Sequence, residues 1–208
     1  MRYLIDIMTE PIDDLVEELI AKPEGKYDEG RYLYQVCNAG RDALLTKITG
    51  FALYHPSLES MERYKDTGGV AISTGEESVI VSNINKILEN FKGNQYAGWE
   101  IKTFIVPVLY RRFINYDVYT NLIDTSFDLY PFDNKKTTDL SNVFNFNRQM
   151  ITTRSRNQYH LNEMFYAYGG IRSNHVWKVG NKESEVKARL LDRIEMGRFL
   201  FNKWGFEW

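Results

Sequence analysis

Two acidic residues lie in apolar surroundings, which makes them the first candidates for chemistry. Asp6 lies inside the apolar run 3–8, Tyr-Leu-Ile-Asp-Ile-Met, where an unpaired buried carboxylate would be costly. Asp6 is either a site residue or a strand-end residue that caps the following helix. Asp192 lies in an apolar helical segment and is either a site residue or the partner of Arg189 or Arg193. We therefore treat Asp6 and Asp192 as candidate catalytic carboxylates.

A second candidate is a basic and aromatic segment that spans residues 140–162 and contains no acidic residue. Cations can contact phosphates and aromatic rings can stack on bases, so this composition is typical of a surface that binds single-stranded nucleic acid. The alternative is a solvated basic loop. The residues concerned are Arg148, Arg154, Arg156, Tyr159, Phe144 and Phe146.

Composition excludes several classes of protein. The net charge of −2 over 208 residues provides no overall field toward nucleic acid or a membrane. The single Cys37 excludes an internal disulfide framework and a cysteine-based zinc site, and it favours a reduced, cytoplasmic setting. No signal peptide is evident at the start, and no apolar run approaches the roughly 20 residues that cross a bilayer. We expect no membrane partner.

The hydrophobic periodicity predicts alternating strands and helices, and therefore one α/β domain with a mixed sheet over residues 1–208. Thr74 and Glu77 have the spacing of a capping box at the start of one helix. Pro11 and Pro107 each suit a first helical turn. The predicted strands are 3–8, 44–54, 70–73, 96–101 and 119–124, and the predicted helices are 10–21, 77–91, 104–113, 159–168 and 184–203.

The segment 96–112, Tyr-Ala-Gly-Trp-Glu-Ile-Lys-Thr-Phe-Ile-Val-Pro-Val-Leu-Tyr-Arg-Arg, resembles a known motif. It is similar to the second motif of the DnaQ-like (DEDD) 3'–5' exonucleases, Gly-x-Asn-x-x-x-Phe-Asp-x-Pro-x-Leu. Gly98, Phe104, Pro107 and Leu109 hold their places. The resemblance extends in order over most of the chain and is nearest the proofreading-domain branch of family B DNA polymerases. It implies a ribonuclease-H-like mixed sheet flanked by helices.

The resemblance also implies a site of four carboxylates that hold two Mg²⁺ or Mn²⁺ ions. Asp6 keeps the first Asp and Asp192 keeps the last, so both are the expected metal ligands. The motif's Glu falls on Met8 and its second-motif Asp falls on Ile105, neither of which binds Mg²⁺. The Tyr that orients the attacking water falls on Ala188. The metal site is therefore expected to be degenerate.

Two other acidic residues are candidates for restoring catalysis. Glu100 stands at the motif's Asn position, and Glu10 lies two residues past the motif's Glu. Glu10 reaches the site only if the first strand continues through Thr9, which Pro11 disfavours. If the protein is active, Mg²⁺ or Mn²⁺ is the expected cofactor.

A degenerate site has an electrostatic consequence. If Asp6 and Asp192 face each other without two metal ions, one of them requires a raised pKa or a basic partner. Arg189, Arg193 and Lys102 are the candidate partners.

Three functions follow from this pattern. The leading one is a nuclease-derived protein that binds single-stranded nucleic acid, or a replication or repair protein, without efficient hydrolysis. The second is a divergent, active metal-dependent 3'–5' exonuclease. The third is an interaction protein that retains only the scaffold, because fold does not fix function.

Overall fold

The computed structural model describes residues 1–20, 32, 35, 39, 42–118, 121–128, 135–143, 161–170 and 182–208, with side chains left out at 122, 124 and 162. The strands are β1 (Arg2–Pro11), β2 (Thr46–Tyr54), β3 (Val70–Thr74), β4 (Gln95–Gly98) and β5 (Thr137–Asp139). The helices are α1 (Asp13–Leu19), α2 (Glu77–Asn90), α3 (Val106–Asn115), α4 (Asn121–Ser126), α5 (Leu161–Ala167) and α6 (Lys182–Lys203). Short 3₁₀ turns cover Pro56–Leu58 and Glu62–Thr67, and a π-turn covers Ile101–Ile105.

The described strands form one mixed sheet in the order β3-β2-β1-β4-β5. The pairs β1–β2 and β2–β3 are antiparallel, whereas β1–β4 and β4–β5 are parallel. This confirms the predicted α/β class, and the sheet is consistent with a ribonuclease-H-like fold. No helix in the described part of the chain is long and apolar enough to span a bilayer.

The sheet is covered on both faces because the central strand alternates two sets of apolar side chains. Tyr3, Ile5 and Ile7 pack with α2 and α3 on one face. Leu4 and Met8 pack with α5 and α6 on the other. Asp6 shares the second face, so the predicted anomaly in β1 points toward α6.

The first strand continues further than its sequence predicts. Pro11 pairs with Thr46 as the last residue of β1, and a register shift lies between Met8 and Thr9. A missing N–H costs least at the end of a strand. The prediction that Pro11 starts a helix is therefore wrong; α1 begins at Asp13, after an N-cap at Ile12.

Residues 119–124, predicted as a strand, contain the start of helix α4 instead. Thr125 Oγ1 donates to the Asn121 carbonyl at 2.8 Å, and the Phe127 amide donates to the Ile123 carbonyl at 2.9 Å. Ile123 and Phe127 are both buried in the core shared with α2. Packing at helical spacing thus overrides the β propensity of the segment.

The predicted capping box is also wrong. The N-cap of α2 is Glu76, without a side-chain cap, and Thr74 donates instead to Glu183 of α6. Glu77 is buried and receives two hydrogen bonds from Arg112, at 2.8 and 2.5 Å. The carboxylate of Glu77 thus joins α2 to α3 inside the core.

His55, which follows β2, gives the protein a pH-dependent contribution to stability. Its ring is buried against Tyr3, and Nδ1 accepts from the Ser57 amide at 3.1 Å. Nε2 is buried and has no hydrogen-bond partner among the residues that the structure describes. Burial, aided by the nearby amino terminus, lowers the pKa of His55 below 6.5. Because the folded-state pKa lies below the unfolded-state pKa, the contribution of His55 to stability is fully present above the unfolded-state pKa. That contribution is lost as the pH falls through the folded-state pKa.

We expect wild-type protein to lose more unfolding free energy between pH 7.5 and 5 than His55→Asn, which keeps an acceptor for the Ser57 amide. The excess slope for one proton is at most about 1.4 kcal/mol per pH unit. Urea denaturation at several pH values measures it. If the free energy of unfolding changes with pH equally in the two proteins, His55 is not buried in its neutral form.

Candidate functional site

The candidate site forms where α6 crosses the amino-terminal half of β1. A Cβ on Gly197 would lie 3.1 Å from Leu4 Cδ2, so helix and strand are in close contact at this point. Arg193 precedes Gly197 by four residues, roughly 6 Å along a helix, and Asp6 follows Leu4 by two, roughly 6.6 Å along a strand. Arg193 consequently lies above Asp6.

Asp6 and Arg193 form a bidentate ion pair at this crossing. Arg193 Nε donates to Asp6 Oδ2, and Nη2 donates to Oδ1 at 3.0 Å. The Ile7 amide also donates to Asp6 Oδ1, at 2.9 Å. Asp6 is only 4% exposed. The predicted basic partner of Asp6 is therefore confirmed as Arg193, and the helix-capping alternative for Asp6 is wrong.

Glu100 lies near this ion pair, at the carboxyl end of β4. Its backbone adopts φ +56°, and its carbonyl accepts from the amides of Phe104 and Ile105 in the following π-turn. The carboxylate of Asp6, and more weakly that of Glu100, raises the pKa of the Arg193 guanidinium. Asp6, Glu100 and Arg193 thus form one charged cluster, which we call the Arg193 cluster.

The other positions of the resemblance are apolar, except Asp192, which precedes Arg193 on α6. Ile105 and Ala188 are buried, and Met8 is half-buried against the α6 face. Asp192 is half-buried on α6, directly before Arg193. Ile105 cannot substitute for a carboxylate, because an alkyl group offers no ligand.

Glu10 does lie on β1, contrary to the expectation drawn from Pro11, but it belongs to a different set of charges. Its carboxylate contacts Lys47 Nζ at 3.1 Å and Lys182 Nζ at 2.5 Å. Burial acts to raise the pKa of Glu10, and the two ammonium groups outweigh it and lower that pKa.

Asp139 is a further buried carboxylate, at the carboxyl end of β5, and the sequence did not single it out. It ends β5 and is paired with Gly98 of β4. Its oxygens accept from the Lys102 amide at 3.0 Å, the Ser141 amide at 3.0 Å and Ser141 Oγ at 2.6 Å. Burial raises the pKa of Asp139. The signal that could have found it is the Thr-Asp-Leu segment 138–140, which lies within the stretch over which the chain resembles the exonucleases.

The predicted nucleic-acid residues lie outside the described residues. They are Arg148, Arg154, Arg156 and Tyr159, and the structure neither supports nor opposes their assignment.

The residues of the Arg193 cluster do not fit a pair of divalent cations. Both Asp6 oxygens already accept from Arg193, and Mg²⁺ requires oxygen ligands in near-octahedral geometry. Across the ranges that the structure describes, no three His, Cys, Asp or Glu side chains are grouped to hold a metal ion. The arrangement neutralises Asp6 with a fixed organic cation.

A separate groove of about 690 Å³ lies between α6 and the start of β3, and neither Asp6 nor Arg193 lines it. Ile194 and Arg198 line it from the helix, and Tyr54 and Val70 line it from the sheet. Arg198 contacts Glu59 at 3.3 Å and lies 4.9 Å from the centre of the Tyr54 ring.

Comparison with solved structures shows a likeness in fold. The fold is similar to a family B DNA polymerase from the hyperthermophilic archaeon Pyrobaculum calidifontis, with a TM-score of 0.56 and 11% identity. The alignment covers 97% of this chain and 24% of the polymerase, so this chain spans about a quarter of that protein's length. No family model and no curated protein sequence match.

Proposed function

We propose that this chain is a DnaQ-like, exonuclease-fold protein that binds single-stranded nucleic acid without efficient hydrolysis. The observation that carries the proposal is the Asp6–Arg193 ion pair, which occupies both oxygens of the first expected metal ligand. Two-metal hydrolysis needs one ion to activate water and another to stabilise the leaving oxygen. A guanidinium held by Asp6 cannot coordinate water and therefore cannot activate it in this way.

Two further observations support it. Ile105 is buried and alkyl at the position where the resemblance requires a second carboxylate. The protein that resembles this chain in fold is named a DNA polymerase, and this favours a nucleic-acid ligand here. The segment 140–162 then supplies the contacts, with Arg148, Arg154 and Arg156 on phosphates and Tyr159 on a base.

The first test is cleavage of a labelled single-stranded oligonucleotide with Mg²⁺ and with Mn²⁺. We expect wild-type protein to cleave no faster than the Asp6→Ala, Asp192→Ala double mutant. Metal-dependent cleavage that disappears in the double mutant would overturn the proposal, and would favour a divergent exonuclease that uses Asp6, Asp192 and either Glu100 or Glu10.

The second test is salt-dependent binding of the same oligonucleotide, followed by fluorescence anisotropy. Changing Arg148, Arg154 and Arg156 together to Gln should weaken binding and reduce the slope of log K against log salt by about 2. The matched control changes three exposed cations elsewhere, at Lys86, Lys92 and Arg111. Equal losses in both triple mutants would indicate a general charge effect, and no binding by wild type would leave the scaffold-only function.

A further inference from the structure

The Arg193 guanidinium lies against the Asp6 carboxylate, where a metal ion would bind. Asp6 is almost fully buried, and it receives two hydrogen bonds from Arg193 and one from the Ile7 amide. Glu100 contributes a second negative charge nearby. Many Mg²⁺ sites take only one or two carboxylates from the protein, and water supplies most of the other ligands.

We infer that Arg193 is the resident cation of this site and the residue that keeps divalent ions out of it. This inference deepens the proposed function and rests on it. The guanidinium excludes a metal in two ways: it uses both Asp6 oxygens, and its positive charge opposes a second cation at the same place.

The position of Arg193 is fixed by packing rather than by the ion pair alone. Gly197 lets α6 contact Leu4, and Leu190 and Val186 lie within van der Waals reach of Gly50 on β2. Such a helix cannot withdraw from β1 without losing these contacts. Removal of the Arg193 side chain should therefore leave the buried Asp6 carboxylate in place without its cation.

The experiment measures melting temperature with 5 mM EDTA or 5 mM MnCl₂ for wild type and four variants. We expect the wild-type melting temperature to be the same in both solutions. Arg193→Gln should melt roughly 5 °C or more below wild type in EDTA, and Mn²⁺ should restore part of that loss because it binds only the folded state. The double mutant Asp6→Asn, Arg193→Gln should show no response to Mn²⁺.

Arg189→Gln is the matched control, since Arg189 lies one helical turn earlier and pairs with Glu185 on the surface. It should respond to Mn²⁺ no more than wild type does. If Arg193→Gln fails to fold in EDTA but folds in Mn²⁺, the inference is supported. If it fails in both while the double mutant folds, the inference is overturned.

Two outcomes separate this inference from the proposed function. An Arg193→Gln variant that folds and ignores Mn²⁺ overturns the inference, and oligonucleotide binding by wild type can still hold. A rise in wild-type melting temperature with Mn²⁺ that Asp6→Asn abolishes also overturns it. Metal-dependent cleavage by wild type would overturn the proposed function itself, independently of the melting data.

Discussion

Replacing Glu77 with Gln is expected to lower the free energy of unfolding by about 3–5 kcal/mol, because it removes one charge of a buried ion pair and leaves the other uncompensated. Glu77 is 8% exposed and Arg112 is 6% exposed. Besides Arg112, the Glu77 carboxylate accepts from the Ile48 amide at 2.6 Å and from Tyr116 Oη at 2.9 Å. One carboxylate therefore joins α2, α3 and β2.

Urea denaturation of Glu77→Gln, Arg112→Gln and the double mutant measures the coupling. The double mutant should cost clearly less than the two single mutants added together, because it leaves no lone buried charge. Lys47→Gln is the control: Lys47 pairs with Glu10 at a more exposed position, and such pairs contribute about 0–1 kcal/mol. If the free-energy changes of the two single mutants add up to that of the double mutant, Glu77 and Arg112 are not coupled.

The elements that the sequence predicted well are those with a strong period. The long helix predicted over 184–203 is α6, Lys182–Lys203, and the helix predicted over 77–91 is α2, Glu77–Asn90. Their apolar stripes are long enough to outweigh local exceptions. The strand β5 was not predicted, because three residues, Thr137–Asp139, carry no detectable alternation.

The errors share one cause, which is contact between distant segments. The spacing of Thr74 and Glu77 fits a capping box, yet Glu77 is instead paired with Arg112, 35 residues away in sequence. Local spacing carries no information about that partner. Pro11 similarly ends a strand because Thr46 lies beside it in the sheet.

In the candidate site, too, the sequence predicted one residue but not its distant partner. The buried Asp6 was recognisable from sequence because a charge in an apolar strand requires compensation. Arg193 was one of three cations that could supply it, and sequence could not choose among them across 187 residues. The choice depends on Gly197, whose missing side chain lets α6 contact β1.

Gly98→Ala is expected to lower the free energy of unfolding by about 1–3 kcal/mol, in the range of other overpacked interiors. A Cβ at this position would lie 2.7 Å from the Ile5 carbonyl oxygen and 3.3 Å from Ile101 Cβ. The first contact is with backbone of the neighbouring strand, so no side-chain rotation relieves it. β4 must move away from β1, and Glu100 moves with it.

Hydrogen exchange locates the effect of this substitution. Amides in the β1–β4 ladder, around Leu4 and Ala97, should lose protection, whereas the β2–β3 ladder should keep its own. The control is Gly93→Ala, where φ is +83° and no heavy atom of the other described residues, apart from the two chain neighbours, lies within 4 Å of the added Cβ. The only expected cost of that variant is a residue with a Cβ in a left-handed conformation, which lowers the free energy of unfolding by about 1–2 kcal/mol. It should leave the protection of the β1–β4 amides unchanged. If Gly98→Ala also leaves it unchanged, close contact between these two strands does not hold Glu100 beside Arg193.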